Sequence, residues 1–297
     1  MKQAIPDSLV VAGHPDHSRL SLLADEITKR ANGDLANSFP AMLRRCVDDV
    51  IMTPKTGRRS YDDLEKTEKT YIGTRVEIEL RALLRLPKGK LDTQILGQDV
   101  DIKNTMGNNW MIPTEAVGHP CLLVAADEAR ARCYLGLINA RPAYLTTGQN
   151  KDAKKTISAQ GFAHILWLLQ NHPYPPNFWR GIAADEVDKI FAGATGNQRM
   201  AQLFRSVQGQ PITRDVVEAV AQQQDFMRRI RSDNGRGTRD LLAREGILLL
   251  SGQYDAPLIA ALGLPKCAGS EFISYRPITL AEATLAAEQG VAISHTL

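Results

Sequence analysis

The hydrophobic period of this chain changes after Pro87, and that change limits the folds open to it. Before it, apolar residues recur at helical spacing. Residues 18–31 and 40–52 read as amphipathic helices, the second with Leu43, Val47 and Val50 on one face. A longer helix is expected from about Asp62 to Leu84, aligning Ile72, Val76, Leu80 and Leu83. After Pro87 short apolar runs take over. Residues 91–96 and 100–103 read as strands joined by the turn Gly97-Gln98-Asp99, and 122–126 and 133–138 as two core strands. A helical part followed by several strands suggests an α/β or α+β core.

Proline fixes φ and removes a donor, so the segment Asn171-His172-Pro173-Tyr174-Pro175-Pro176-Asn177 cannot hold a helix. It divides the chain into an expected first domain at 1–168, a linker at 169–177 and a second domain at 178–297. The second domain reads as helical to about Arg231 and strand-like at 246–250. A length of 297 residues accommodates two domains. With 43% hydrophobic and 23% charged residues the composition is that of an ordinary globular protein. No apolar run is long enough to span a bilayer, and the first residues lack a signal-peptide core, so the expectation is a cytoplasmic protein with no membrane partner. Cys46, Cys121, Cys133 and Cys267 form no CxxC pair and no zinc spacing. Cys121 and Cys133 lie in apolar runs and are expected as buried, reduced thiols. A net charge of +3 permits nucleic-acid binding without requiring it, so local charge carries more information.

The chemistry-bearing candidates are Glu77, Asp92, Asp101 and Lys103. Strand alternation sends Asp101 and Lys103 to one face and Ile102 to the other, and the turn at Gly97 can bring Asp92 beside Asp101. Two carboxylates and a lysine on one sheet edge suit metal-dependent phosphodiester hydrolysis. Attack on a phosphodiester adds negative charge to oxygens that are already anionic, and bare carboxylates would repel it. Carboxylates holding Mg²⁺ present a cation instead, and the lysine can hold or deprotonate the attacking water. A D-x-K triplet alone is weak: a surface hairpin with an ion pair fits it equally, and the chain offers a second triplet, Asp152-Ala153-Lys154, in a polar stretch that reads as a solvated loop. Periodicity leaves the upstream acid open between Glu77 and Glu79.

At these residues the sequence resembles the NaeI-type restriction endonucleases. The resemblance runs through Lys66-Thr67-Glu68-Lys69-Thr70, Gly73-Thr74, Val76-Glu77-Ile78, Val100-Asp101 with Lys103, Trp110-Met111 with Pro113, and Gly118-His119 before Cys121-Leu122. It continues through Val220-Ala221-Gln222-Gln223, Asp225-Phe226-Met227, Arg244-Glu245-Gly246-Ile247 and Leu262-Gly263-Leu264-Pro265. It implies a PD-(D/E)xK nuclease core followed by a helix-turn-helix domain related to the catabolite activator fold. It also implies a Mg²⁺-dependent type II endonuclease that acts as a homodimer on double-stranded DNA. Such an enzyme cuts both strands of a short GC-rich palindrome (GCCGGC-like) and is activated by a second DNA copy. The family's catalytic and metal-holding acids fall on Glu77, Asp92 and Asp101 and its lysine on Lys103. Glu79 stands where the family pattern has Asn.

In the second domain, 197–208, a turn at 209–212 and a helix from Thr213 to Arg231 fit helix-turn-helix, with Thr213 as N-cap. A plain helical hairpin fits the same spacing. Arginines crowd the region, and no lysine occurs between Lys189 and Lys266. The planar guanidinium suits phosphate and guanine edges. Arg214, Arg228, Arg229, Arg231, Arg236 and Arg239 are therefore the candidate DNA contacts, with Lys55, Arg58 and Arg59 in the basic turn 53–59. The loop Asp233-Asn234-Gly235-Arg236-Gly237 offers a close backbone approach to phosphate. His14-x-x-His17 has no further ligand near it in sequence and reads as a disordered or surface terminus. Lys55-Thr56-Gly57-Arg58 lacks the acid of a ligase lysine motif, and Gly89-Lys90 lacks the earlier glycine of a P-loop, so no nucleotide is expected. Tyr174, Phe178 and Trp179 read as linker packing. Two other functions stay open: a DNA-binding regulator with an inactive nuclease fold, and a nicking or repair endonuclease.

Overall fold

Helices α1 (His17–Arg30), α2 (Leu35–Ile51) and α4 (Lys66–Leu83) cover one face of a mixed sheet. α3 (Thr53–Thr56) lies between the last two in sequence. The computed structural model describes residues 5–223, 225–231 and 235–291. The chain divides into two units, Met1–Ile51 with Ser60–Asn177, and Met52–Arg59 with Phe178–Leu297.

In the first unit the strands are β1 (Thr93–Ile95), β2 (Gln98–Thr105), β4 (Pro120–Asp127), β5 (Arg132–Asn139) and β7 (Leu166–Pro173), in the order β1-β2-β4-β5-β7. β2 and β4 run parallel and the other neighbours antiparallel. A two-stranded ribbon, β3 (Met111–Ile112) with β6 (Lys155–Thr156), lies apart. β4 reads as an unbroken apolar run because both its faces are covered. Leu122 and Val124 join Ile72, Val76 and Leu80 of α4 in one cluster, whereas Cys121, Leu123 and Ala125 join Trp110, Tyr134 and Phe162 in another. On β2, Val100 and Ile102 turn to the helices.

Proline inside α2 needs an account. Pro40 is buried in the helix and has no N–H for the Ala36 carbonyl one turn earlier. The His172 ring meets that carbonyl at 2.8 Å instead. His172 belongs to β7, so residues 169–173 are not linker as expected but the second half of an edge strand. Tyr174 is buried too, its hydroxyl donating to Glu128 Oε1 at 2.8 Å and its ring lying under Arg44.

The second unit holds α5 (Ala184–Phe191), α6 (Gly196–Ser206), β8 (Ile212–Thr213), α7 (Arg214–Ala221), α8 (Phe226–Ile230), α9 (Thr238–Arg244), β9 (Leu248–Ser251), α10 (Ala256–Ala261), β10 (Glu271–Tyr275) and α11 (Leu280–Glu288). Its antiparallel sheet has the order β8-β10-β9. Trp179, Ile190, Phe204, Val217, Val220, Leu242 and Phe272 share its core. The single helix expected over 213–231 is instead two. α7 stops at Gln222, whose φ of 52° is left-handed. Arg199 takes the carbonyls this ending frees, Val220 O at 2.8 Å and Ala221 O at 2.6 Å, with Gly193 O at 2.9 Å. Thr213 precedes α7 but makes no side-chain cap, whereas Thr195 caps α6 by accepting from Gln198 N. The segment 52–59 packs here through α3 against α7, and the Arg59 guanidinium lies 5.0 Å from the centre of the Phe191 ring.

Candidate active site

Asp92, Asp101 and Lys103 meet at the β1–β2 edge of the first unit. Asp101 and Lys103 sit opposite Cys121 and Leu123 of β4, on the face away from Ile102. The Lys103 ammonium lies 2.8 Å from Asp101 Oδ1 and 3.5 Å from Asp92 Oδ2. Asp92 is fixed from the other side, since its Oδ2 accepts the Ile102 N–H at 2.7 Å. That backbone donor leaves no mark in sequence periodicity.

Asp101 is the most enclosed of the four, with its side chain 4% exposed. Its Oδ2 is buried and has no hydrogen-bond partner. Burial raises its carboxyl to about 7, against the pull of Lys103 and with the help of the Asp92 charge. Burial works against the Lys103 ammonium, but Asp101 and then Asp92 outweigh it and hold the proton more firmly than usual. Among the described residues no three His, Cys, Asp or Glu side chains are gathered as a ready ligand set. The donors present nevertheless suit a hard divalent cation: an orphaned carboxylate oxygen, a second carboxylate within reach of the same lysine, and oxygen donors throughout.

Glu77 and Glu79, which sequence left open, part company on α4. Glu79 pairs with Arg75 at 3.1 Å, and Arg75 with Asp49 of α2 at 2.5 Å. Glu77 lies close enough to the site that the Asp92 charge, after burial, raises its carboxyl, while Arg81, Lys103 and Lys88 offset the shift. Its nearest cation is Arg81, at 3.7 Å, one helical turn on. That turn-spaced pair is legible in the sequence as Glu77 and Arg81 four residues apart.

The candidate DNA contacts divide by what they touch. Arg214, Arg228, Arg229, Arg231, Arg236 and Lys55 are exposed. Arg229 is 3.4 Å from Asp225, and the Arg214 guanidinium lies 5.4 Å from the Phe226 ring centre. Arg239 is half-buried and pairs with Asp255 at 3.2 Å, an intramolecular role that the crowding of arginines did not reveal. Arg205 and Glu245 likewise form a two-pronged pair at 2.6 Å. Arg58 and Arg59 are partly buried, and Arg59 reaches Asp188 at 4.0 Å. Asp233 and Asn234 of the glycine-bearing loop lie outside the described residues.

Other motifs find local partners. His14 meets His164 at 2.9 Å, and the nearby Asp16 carboxylate is buried under Arg141, Asn139 and Tyr144. Asp152 and Ala153 are exposed on a loop. All four cysteines are buried and free. Burial pushes the Cys46 and Cys133 thiols up to about 12. No helix among the described residues is long and apolar enough to cross a membrane.

A family model described as Restriction endonuclease NaeI matches residues 28–294. The type II restriction enzyme NaeI of Lentzea aerocolonigenes is 36% identical over 247 residues, which span 80% of this chain and 77% of that enzyme. The protein is thus an enzyme of the type II restriction class, a nuclease that hydrolyses DNA. It belongs to the NaeI restriction endonuclease family.

Proposed function

We propose that the chain is a Mg²⁺-dependent endonuclease that cuts both strands of a short GC-rich palindrome (GCCGGC-like). In this reading the first unit is a PD-(D/E)xK core with Glu77, Asp92, Asp101 and Lys103 as its working residues. The observation that carries it is the buried, unpartnered Asp101 Oδ2 beside Asp92 and Lys103. An unpaired buried carboxylate oxygen is costly without a function or a ligand.

Asp92 and Asp101 would hold the cation, with Glu77 at the margin of the site. When bound, the cation supplies positive charge against the phosphate and makes an attacking water more acidic. The chain's own part follows from its contacts. The Ile102 N–H fixes Asp92, and the parallel pairing of β2 with β4 fixes Asp101. Lys103, held between two carboxylates, acts as an ammonium. It offsets the charge that gathers on the phosphate oxygens and orients the water by donating to it. Water's oxygen forms the new bond to phosphorus and gives up a proton to bulk solvent, while the bond from phosphorus to the leaving sugar oxygen breaks and that oxygen takes a proton from solvent.

The second unit, in the same reading, is a winged helix-turn-helix module that binds an effector copy of the site, and the enzyme works as a homodimer. The succession α6, β8, α7, α8, α9, β9, α10, β10, with the three strands paired as one sheet, supports this. So do the exposed Arg214, Arg228, Arg229, Arg231 and Arg236. The test is a digest of supercoiled plasmid bearing GCCGGC with Mg²⁺. Linear product supports the reading. A nicked product alone points to single-strand cutting, and untouched plasmid that is still bound points to a regulator.

A further inference from the structure

Asp92 is carried by a loop, not by a strand, yet it must sit within hydrogen-bond reach of Ile102 N. Several contacts fold that loop back on β1 and β2. The Pro87 carbonyl accepts from Thr93 Oγ1 at 2.8 Å and from Gln94 N at 3.2 Å. Asp99, opposite Gln94 in the register, accepts the Lys90 N–H at 2.7 Å and Gln94 Nε2 at 3.4 Å, both through Oδ1. Gly89 lies flat against this arrangement. A Cβ there would come within 2.5 Å of both Asp99 Oδ1 and the Thr93 carbonyl oxygen, so no larger residue fits unless the loop moves.

We propose that Asp99 is a positioning residue, and Gly89 the space it requires, which together clamp the 88–92 loop and so place the Asp92 carboxylate; the catalytic consequence rests on the nuclease reading above. Alternation puts Asp99 in the same row of β2 as Asp101 and Lys103. Its Oδ1 is already engaged by the loop amide of Lys90 and by Gln94 of β1, so it holds the loop to the strand instead of facing the phosphate. Only Leu91 separates Lys90 from Asp92. Slack at the clamp therefore reaches Asp92 with little to absorb it.

Amide hydrogen exchange and cleavage, measured on D99A, D99N, G89A and D92A, test the clamp. The Lys90 amide reports the clamp, and the Ile102 amide reports whether Asp92 is seated, neither needing a cation or activity. D99A and G89A should speed exchange at both amides by about tenfold or more. D92A should speed it at Ile102 alone. D99N keeps an oxygen acceptor and should stay within about threefold of the parent at both. In cleavage, D99A should raise the Mg²⁺ concentration for half-maximal rate by ~10–100-fold, the usual cost of losing a group that orients a ligand, and D99N should restore it. Melting temperatures guard against general unfolding. Unchanged exchange at Ile102 in D99A, or equal damage from D99N and D99A, overturns the proposal. Exchange as expected, with no cutting by the parent at any Mg²⁺ concentration, leaves the clamp standing and removes the Mg²⁺-dependent reading of the site.

Discussion

Asp101 keeps a carboxyl where only one of its oxygens is answered, and that has a consequence without any cation. Its folded pKa, raised to about 7, lies above the ordinary carboxylate value. Between about pH 4 and 7 the folded chain therefore binds more protons than the unfolded one, and stability falls as pH rises through this window. Below it the penalty is absent, and above it the penalty is complete. With chelator present, D101N should match the parent near pH 4 and exceed it at pH 8 by roughly 1–4 kcal/mol, read from denaturant midpoints. A difference that shrinks with pH would reverse the sign argued here. D101A and K103A should both stop or cripple cleavage, K103A by ~10²–10³-fold, while gel-shift binding to cognate duplex in Ca²⁺ stays within a few-fold of the parent. D101A turning over plasmid at the parent's rate would remove Asp101 from the chemistry. Sequence alternation put Asp101 and Lys103 on one face, because period-2 geometry follows directly from residue order. It could not choose Glu77 over Glu79, because both lie near the boundary of the helix face. Only the partners Arg81 and Arg75 separate them.

At the scale of elements, the instructive failure is the long helix expected over 213–231. Val216, Val220, Met227 and Ile230 keep helical spacing across the break, so the pattern alone reads straight through it. The stop is made by a side chain from another helix. Arg199 of α6 takes the last carbonyls of α7, and Gln222 turns left-handed. R199A should cost the second unit ~1–3 kcal/mol, as unsatisfied buried carbonyls do. Q222G should gain about 0.5–1 kcal/mol by removing a left-handed side-chain penalty. Thermal unfolding of both variants checks the pair; no loss from R199A, or a loss from Q222G, would mean that α7 ends for another reason. The end of β7 is hidden in the sequence for a similar reason. Prolines at 173, 175 and 176 announced a boundary, but the ladder with β5 and the contact of His172 with Ala36 carry structure as far as Pro173. Proline marks what a segment cannot be more firmly than where its neighbour stops.

For the whole molecule, the proposed effector role predicts that a plasmid with one cognate site is cut slowly. A short cognate duplex added in trans should speed it by ~5–150-fold, the usual range of linked sites. Replacing Arg228, Arg229 and Arg231 together by Ala should weaken that activation and lower the salt dependence of binding by up to ~0.9 per lost phosphate contact. An undiminished response would clear these arginines of the role. A protease nick between Tyr174 and Phe178 gives a second test, because residues 52–59 belong with the second unit although their neighbours on both sides belong with the first. The nicked halves should elute together from a sizing column under native conditions and part only in denaturant. Separation of the intact halves without denaturant would contradict this.

The same eight residues bear on how such a protein can be inherited. A module written as one uninterrupted stretch of gene can be moved by recombination at its two ends and arrive whole. The second unit is written in two places, its short piece lodged inside the coding region of its neighbour. A crossover near codon 178 would deliver a module missing the packing of α3 on α7 and leave the donor with an orphaned loop. The two units are thereby bound to travel together, and a change in one must be tolerated in the presence of the other.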